Sequence, residues 1–190
     1  LRTPLEDGEI RLARRDGVAC YPARFQLVLA ANLCPCAPAD PQDCICAAAV
    51  KRRYLGKLSG PLMDRFDLRI EVPPVAIGDL EQPAAGEASA GIAARIAAAR
   101  AVQAERFGAH PTLRVNADAS GGVLEEIAAP DAEGRSLILR AAERLGLSAR
   151  GYHRVLRTAR TIADLDGSER VRAPHLAEAI SYRLPFAAAA

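Results

Sequence analysis

The chain has 190 residues, of which 50% are hydrophobic and 25% charged, with a formal net charge of +2. This length suits one domain or two small ones, and the apolar content excludes disorder throughout. No apolar run approaches the roughly 20 residues that cross a bilayer, and no signal segment opens the chain, so we expect a cytoplasmic protein without membrane partners. The chain begins at Leu1 and its one methionine is Met63. We therefore expect it to be a piece of a longer protein.

The first predicted element is a β-hairpin. Residues Glu9–Leu12 alternate between polar and apolar, Asp16 and Gly17 are typical turn residues, and Val18–Tyr21 form the returning strand. Three arginines near the tip are candidate contacts to nucleic-acid phosphates: Arg11, Arg14 and Arg15. The alternative is a solvated hairpin end.

Two further segments have the patterns of strands. Phe25–Ala31 is almost continuously apolar, which is typical of a central parallel strand covered on both faces. Asn32 follows it, at the strand end where open α/β sheets place their ligands, although asparagine is also a common turn residue. Phe66–Val72 alternates strictly and predicts a half-buried strand nearer a sheet edge.

Four of the five cysteines form two C-x-C pairs, Cys34 with Cys36 and Cys44 with Cys46, separated by a short loop. Four thiolates this close can surround one tetrahedral ion, and zinc is the default because it accepts four sulfur ligands and has no redox chemistry. Disulfides or free thiols are the alternatives, although cytosolic thiols stay reduced. Cys20 is predicted to be a buried apolar thiol.

The rest of the chain is predicted to be helical. A helix is expected over Ala47–Leu58, and a linker rich in Gly, Pro, Glu and Ala covers Gly78–Ser89. Five helices follow, over Ala90–Phe107, Val123–Ala129, Ala132–Leu145, Ser148–Asp164 and Pro174–Arg183. We therefore expect an α/β part over residues 1–80, a linker over 81–89 and a helical bundle over 90–186.

The helix over Ser148–Asp164 is amphipathic. Its predicted core face comprises Tyr152, Val155, Leu156, Ala159, Ile162 and Ala163. Its other face carries Arg150, Arg154 and Arg157 and is predicted to be solvated.

Several of these segments together resemble the ComM/YifB family of magnesium-chelatase-like AAA+ ATPases. The resemblance runs from Pro4 to Arg183 and is carried by Arg24–Val28, Asn32, the two C-x-C pairs, Leu58–Leu68 and Leu147–Leu165. It implies an α/β fold: the second half of a P-loop AAA+ core, with parallel-sheet strands, a hairpin insertion and a zinc-type cysteine loop, followed by an all-helical lid.

The resemblance also implies roles for individual residues. Asn32 corresponds to sensor 1, Arg65 to the arginine finger that reaches a neighbouring subunit's nucleotide, and Arg150 to sensor 2. The Glu9–Tyr21 hairpin corresponds to an insertion that points toward a central pore and DNA. The implied assembly is a ring, expected to be a hexamer, which uses ATP and Mg²⁺. Its implied activity is that of a DNA helicase or branch-migration motor in natural transformation. The resemblance further implies zinc at Cys34, Cys36, Cys44 and Cys46.

Each basic residue also has a plainer interpretation. Arg65 could pair with Asp64 or Asp67 on a surface, and Arg150 is distinguished from the other arginines of its helix by the resemblance alone. The cluster Lys51-Arg52-Arg53 could contact phosphate but is typical of a solvated helix face.

The sequence lacks the G-x-x-x-x-G-K-[ST] loop and the acidic strand that an ATPase of this type needs, since Gly56-Lys57 is followed by Leu58. We therefore expect these 190 residues alone neither to bind ATP tightly nor to hydrolyse it. The alternative function is a non-catalytic, zinc-stapled and Arg-rich module from a truncated gene, which binds nucleic acid or a partner protein. A chelatase subunit of tetrapyrrole synthesis is disfavoured, because the cysteine loop is a feature of the ComM/YifB branch.

Overall fold

The computed structural model describes residues 2–15, 17–38, 40–58, 60–75, 77–81 and 86–184. The chain divides into two compact units, the first ending at Phe66 and the second beginning at Asp67. The elements of the first unit are α1 (Arg2–Asp7), β1 (Glu9–Arg14), β2 (Gly17–Pro22), a 3-10 turn (Pro41–Asp43), α2 (Ala48–Leu55) and α3 (Gly60–Met63). Those of the second are α4 (Ile77–Leu80), α5 (Ser89–Arg106), a 3-10 turn (Asn116–Asp118), α6 (Gly121–Ile127), α7 (Ala132–Leu145), α8 (Ala149–Leu165) and α9 (Ala173–Ser181).

The predicted hairpin is confirmed. Strands β1 and β2 pair antiparallel, with Glu9 opposite Pro22 and Arg14 opposite Gly17. Asp16 of the predicted turn lies outside the described residues. Most side chains of both strands are exposed, because no further layer covers either face of this two-stranded ribbon in the described part of the chain.

The other two predicted strands are wrong in this structure. Phe25–Ala31 and Phe66–Val72 have no regular secondary structure, and most of their apolar side chains are open to solvent, with Val28 81% and Val72 86% exposed. A strand requires hydrogen-bonded neighbours, and the only sheet in the described residues is the β1–β2 pair. The second segment instead makes a single backbone bond to a distant turn, from the Arg69 N–H to the Tyr182 carbonyl at 3.0 Å.

The second unit contains the hydrophobic core. Helix α9 packs on α7 and α8, and α8 also packs on α5 and α6. Most core residues are small or aliphatic, which lets the helices approach closely. They are Phe107, Ala119, Leu124, Ala128, Ile138, Val155, Leu156, Ala159, Ala163, Val171, Leu176, Ala179 and Ile180.

Local sequence signals set the ends of the two central helices. The Asp131 carboxylate accepts the Gly134 N–H at 2.7 Å at the start of α7, and the Ser148 hydroxyl accepts the Gly151 N–H at 3.0 Å at the start of α8. Both bonds satisfy a backbone donor that the first turn leaves without a partner. Gly146, at φ 59°, ends α7 in the left-handed conformation that glycine adopts without a steric cost.

The two faces of α8 have different outcomes. The apolar face is confirmed: Val155, Leu156, Ala159 and Ala163 are buried, and Tyr152 and Ile162 pack against the core. The prediction of a solvated arginine face is wrong at two of its three positions, Arg154 and Arg157. The Arg154 guanidinium pairs with Asp67 at 2.6 Å, and the Arg157 Nε donates to the Ala119 carbonyl at 2.8 Å.

A buried ionic network stabilises α8 against α5. The Asp164 carboxylate is fully buried and accepts hydrogen bonds from Arg106 at 2.5 Å and from the Asn116 amide at 2.7 Å. Arg160, one turn earlier on α8, pairs with it at 2.9 Å and donates to the carbonyl of Ser168. Each charge in this network therefore has a partner, as burial requires.

None of the helices in the described residues is both long and apolar enough to cross a membrane.

Candidate metal centre and the predicted nucleotide and DNA contacts

The two C-x-C pairs converge on one point in the first unit. Cys34 and Cys36 lie in a turn that the Ala37 N–H closes by donating to the Cys34 carbonyl at 3.3 Å. Cys44 and Cys46 follow the 3-10 turn Pro41–Asp43 and precede α2. The four Sγ atoms all lie within 4.8 Å of one another, and three of the Sγ–Sγ distances are 3.4–3.5 Å.

This geometry fits a tetrahedral ion. A Zn–S bond of about 2.3 Å places the sulfurs of a tetrahedral site about 3.8 Å apart. The observed spacing therefore needs only a small expansion to admit the ion. All five cysteines are free thiols in the structure. The four close cysteines could thus hold a metal ion.

The four thiols differ in their environment. The pKa of Cys44 is lowered to about 6, chiefly because its sulfur accepts the backbone N–H of Cys46, with further hydrogen bonds from Cys34, Cys36 and Lys51. Burial raises the pKa of Cys34, and a hydrogen bond to Cys46 raises that of Cys36. Of these three thiols, Cys44 is therefore the one that ionises first.

The residue predicted to be sensor 1, Asn32, is exposed and lies two positions before the first cysteine, in a segment without regular secondary structure. The predicted arginine finger, Arg65, follows α3. Its side chain is only 11% exposed, because Nη2 pairs with Glu6 Oε2 at 2.7 Å and Nη1 donates to the Pro61 carbonyl. The ion pair of Arg65 is thus with a residue of α1.

The residue predicted to be sensor 2, Arg150, belongs to the second unit. It is the second residue of α8 and its side chain is exposed. Within the described residues of the first unit, the structure brings the four predicted metal ligands together as one group.

The three hairpin arginines are exposed, which fits both the predicted phosphate contacts and the alternative of a solvated hairpin end. Arg11 is paired with the Glu9 carboxylate on the same strand, with Nε 2.6 Å from Oε1. The prediction that Cys20 is buried is wrong: it is exposed on β2, and its Sγ donates to Glu9 Oε2 at 2.6 Å. That hydrogen bond to the carboxylate raises the pKa of the Cys20 thiol.

Two features of the structure were not identified from the sequence. One is the Arg106–Asp164–Arg160 network, of which only the four-residue spacing between Arg160 and Asp164 is visible in the sequence. The other is Lys51, which appeared only as one of three basic residues but is half-buried and contributes to lowering the pKa of the Cys44 thiol. Its position in the first turns of the helix that follows the last cysteine is the signal that could have identified it.

With this geometry established, comparison with known proteins defines the class. The model of the magnesium chelatase subunit ChlI family matches residues 1–80, and that of the ChlI C-terminal region matches residues 86–183. The chain therefore belongs to the magnesium-chelatase-like family.

Individual relatives match over almost the whole chain. An uncharacterised protein of Mycobacterium tuberculosis is 55% identical over 183 residues, which is 96% of this chain and 36% of that protein. The competence protein ComM of Haemophilus influenzae is 40% identical and the uncharacterised protein YifB of Escherichia coli is 39% identical, each over 96% of this chain and 35% of the relative. The predicted resemblance to ComM and YifB is confirmed, and the chain spans about a third of the length of these curated relatives.

Proposed function

We propose that the chain is the nucleotide-sensing and lid portion of an oligomeric AAA+ ATPase that acts on DNA in the cytoplasm. The observation that carries this proposal is the 40% identity to the competence protein ComM, which extends over 96% of the chain. In this proposal, the protein assembles into a ring that uses ATP and Mg²⁺. The ring acts as a DNA helicase or a branch-migration motor.

In this proposal, three polar residues serve ATP hydrolysis. The Asn32 amide orients the attacking water, Arg65 stabilises the charge that develops on the γ-phosphate in a neighbouring subunit, and Arg150 binds phosphate oxygens from the lid. The phosphate-binding loop and the acidic strand would come from other parts of a longer protein. The sequence of this chain contains neither.

The environment of Arg65 is compatible with such a role. Its guanidinium already binds an oxyanion, the Glu6 carboxylate, at 2.7 Å. Carboxylate and phosphate groups can each present two oxygens to the planar guanidinium fork of arginine. Arg65 would therefore exchange one oxyanion for another when it engages a nucleotide.

The first unit would also supply the DNA contact and a structural metal. Arg14 and Arg15 are exposed beside the hairpin turn, where their charges are accessible to phosphates. The four cysteines would hold Zn²⁺ and fix the loop that follows Asn32. The metal is proposed to be structural because four cysteines would leave it no open coordination position.

The test is a chimera in which this chain replaces the aligned 184 residues of Haemophilus influenzae ComM. We expect ATP hydrolysis that DNA stimulates and that Arg65→Ala abolishes. Arg154→Ala is the matched control, because it also removes an ion-paired arginine, the one bound to Asp67. Arg65→Ala activity equal to that of Arg154→Ala would exclude the arginine-finger role.

The second candidate function is a metal-stapled, Arg-rich module that binds DNA without catalysis. This candidate is favoured by the occurrence of the cysteine cluster and the exposed hairpin arginines in the same unit. Fluorescence anisotropy with labelled DNA separates the two candidates. A chimera that binds DNA through Arg14 and Arg15 but never hydrolyses ATP would support the binding module over the motor.

A further inference from the structure

The segment that contains α2 concentrates positive charge. Residues 44–63 include four cations and no aspartate or glutamate, whereas the chain as a whole has a formal net charge of only +2. The cations are Lys51, Arg52, Arg53 and Lys57. Carboxylates three or four residues from a cation form ion pairs on a helix surface, and this segment contains none. Its positive charge can therefore be offset only by an anion from outside the segment.

Three of these cations are open to solvent: Arg52, Arg53 and Lys57. The two arginines lie in the last turn of α2, and Lys57 follows the helix. None of the three forms an ion pair with any of the described residues. The Lys57 ammonium lies 5.8 Å from the centre of the Tyr54 ring, a contact that leaves its charge in place. These three residues, here called the α2 basic cluster, are thus accessible to a partner.

The helical turn brings two of these like charges together. Arg53 and Lys57 are four residues apart, and the turn continues to Lys57, whose N–H donates to the Tyr54 carbonyl at 3.2 Å. Like charges at this spacing destabilise a helix. Cations in a last turn interact favourably with the helix dipole, which offsets this repulsion without removing it. An anion bound to the α2 basic cluster would remove it.

The phosphate backbone of DNA has the chemistry that fits this cluster. From Arg52 to Lys57 the helical rise of about 1.5 Å per residue gives a span of about 7.5 Å. Phosphates recur about every 3.4 Å of axis on each DNA strand, so the cluster is long enough to meet more than one of them. Long basic side chains on a helix surface bind phosphates without reading the bases. The expected contact is therefore independent of DNA sequence.

An anionic membrane surface is the other partner with repeated negative charges. Helices that lie in a membrane interface combine cations with a broad apolar face. Helix α2 has eight residues, and its exposed apolar side chains are two alanines, Ala48 and Ala49, and Val50. Tyr54 and Leu55 are half-buried. So small an apolar face favours DNA over a membrane.

We propose that the α2 basic cluster is a sequence-independent contact to DNA phosphates, in addition to the contact proposed for the hairpin arginines. This inference rests on the DNA partner proposed above. It depends neither on ATP hydrolysis nor on the hairpin contact.

The experiment measures binding of the full chain to a short labelled DNA duplex by fluorescence anisotropy over a series of salt concentrations. Each phosphate that a protein cation neutralises contributes about 0.9 to the slope of log affinity against log salt. We expect Arg52→Gln/Arg53→Gln to weaken binding and to reduce the magnitude of this slope by about 2. Arg52→Lys/Arg53→Lys keeps both charges and should retain the wild-type slope.

Helix α7 supplies the matched control, Arg140→Gln/Arg144→Gln. This variant also removes two exposed arginines from one helix, but α7 carries Glu133 and Glu143 as well. It should bind DNA with the affinity and slope of the wild type. Circular dichroism of each variant checks that the helical content is unchanged.

The other outcomes overturn defined parts of the inference. A wild-type chain that does not bind DNA at low salt would overturn the proposed DNA partner and this inference with it. A slope that Arg14→Gln/Arg15→Gln reduces and Arg52→Gln/Arg53→Gln leaves unchanged would overturn the α2 contact alone.

Two further results would also overturn the α2 contact. One is an equal loss in the lysine variant and the glutamine variant, because the arginines would then act through structure and not through charge. The other is binding to phosphatidylglycerol vesicles that Arg52→Gln/Arg53→Gln abolishes while DNA binding stays unchanged, because the partner of the cluster would then be a membrane.

Discussion

At the scale of single residues, two cysteines show how neighbours control the same thiol group. The pKa of Cys44 is lowered to about 6, chiefly by the backbone N–H of Cys46 and less by the thiols of Cys34 and Cys36 and the Lys51 ammonium. Cys20 donates to the Glu9 carboxylate, and this contact raises its pKa. Thiolates and not thiols react with alkylating agents, so the two residues should differ in reactivity.

The first prediction follows from this difference. In metal-free protein at about pH 7, iodoacetamide should label Cys44 before Cys20, although Cys20 is the more exposed of the two. Peptide mass spectrometry of a time course measures the order of labelling. Zn²⁺ should then protect Cys44 and leave Cys20 unchanged, and earlier labelling of Cys20 would contradict the assigned environments.

The sequence predicted the proximity of the four cysteines but not the environments of Cys20 and Arg65, for a physical reason. The spacing of Cys34, Cys36, Cys44 and Cys46 confines the four thiols to a short loop, so their proximity is a local property. The environment of Cys20 depends on whether a further layer covers the hairpin, which no local pattern specifies. The partner of Arg65 is likewise non-local, since Glu6 lies 59 residues away.

At the scale of elements, the hairpin and the helices α5–α9 were predicted, whereas the two strands predicted over Phe25–Ala31 and Phe66–Val72 were wrong. Asp131, Ser148 and Gly146 form caps with residues of their own helices, and the α7 boundaries were predicted to the residue. The stretch Phe25–Ala31 has the composition of a strand, but a strand forms only when another segment supplies hydrogen-bonding partners. The composition of this segment therefore favours a strand, but none of the described residues pairs with it in a sheet.

The second prediction concerns the contact between α7 and α9. A Cβ added at Gly134 would lie 2.7 Å from Leu176 Cδ1, in the core, and 2.8 Å from the capping Asp131 Oδ1. Gly134→Ala should therefore lower the free energy of unfolding by about 1–3 kcal/mol, as overpacking does.

The control for this substitution is Gly122→Ala in α6, where an added Cβ meets no atom within 4 Å. It should be neutral or stabilise the protein by up to about 1 kcal/mol, because alanine favours helix over glycine. Urea unfolding followed by circular dichroism measures both variants, and equal effects would show that the close approach of α7 to Leu176 is not as described.

At the scale of the whole molecule, the two units are stabilised by different means. The core and the buried ionic network belong to the second unit. In the described residues up to Phe66, the one buried residue is Cys34, a candidate metal ligand. A unit with so little buried apolar surface needs another source of stability, and a metal cross-link is one that small domains use.

The third prediction tests the network of the second unit. Asp164→Asn removes the buried charge that Arg160 and the half-buried Arg106 share, and breaking such a pair costs about 3–5 kcal/mol. Glu87→Gln is the control, because that carboxylate is 45% exposed where it pairs with Arg95, which is itself 57% exposed. The control should cost no more than about 1 kcal/mol. Urea unfolding followed by the helical signal measures both, and similar losses would contradict the buried network.

The same network has a defined pH dependence. Burial alone would raise the pKa of Asp164, but hydrogen bonds from Arg106 and Asn116 and the charge of Arg160 outweigh it and lower the pKa. The unfolded chain therefore binds the proton first as the pH falls. The stability difference between wild type and Asp164→Asn should be constant above about pH 5 and shrink below about pH 4. A difference that shrank toward neutral pH would have the wrong sign for a lowered pKa.

The fourth prediction is that removal of metal affects the two units separately. Chelation should increase hydrogen exchange at backbone amides between Cys34 and Lys51, because the four cysteines would lose their common ligand. Amides of α8 should keep their protection, since the core that buries Val155 and Ala159 contains no cysteine. The Cys34→Ser/Cys36→Ser variant should exchange in the same way with or without Zn²⁺, and Cys20→Ser should behave as the wild type. If exchange rose equally in α8, the stability of the helical unit would depend on the metal, and separate stabilisation of the two units would be wrong.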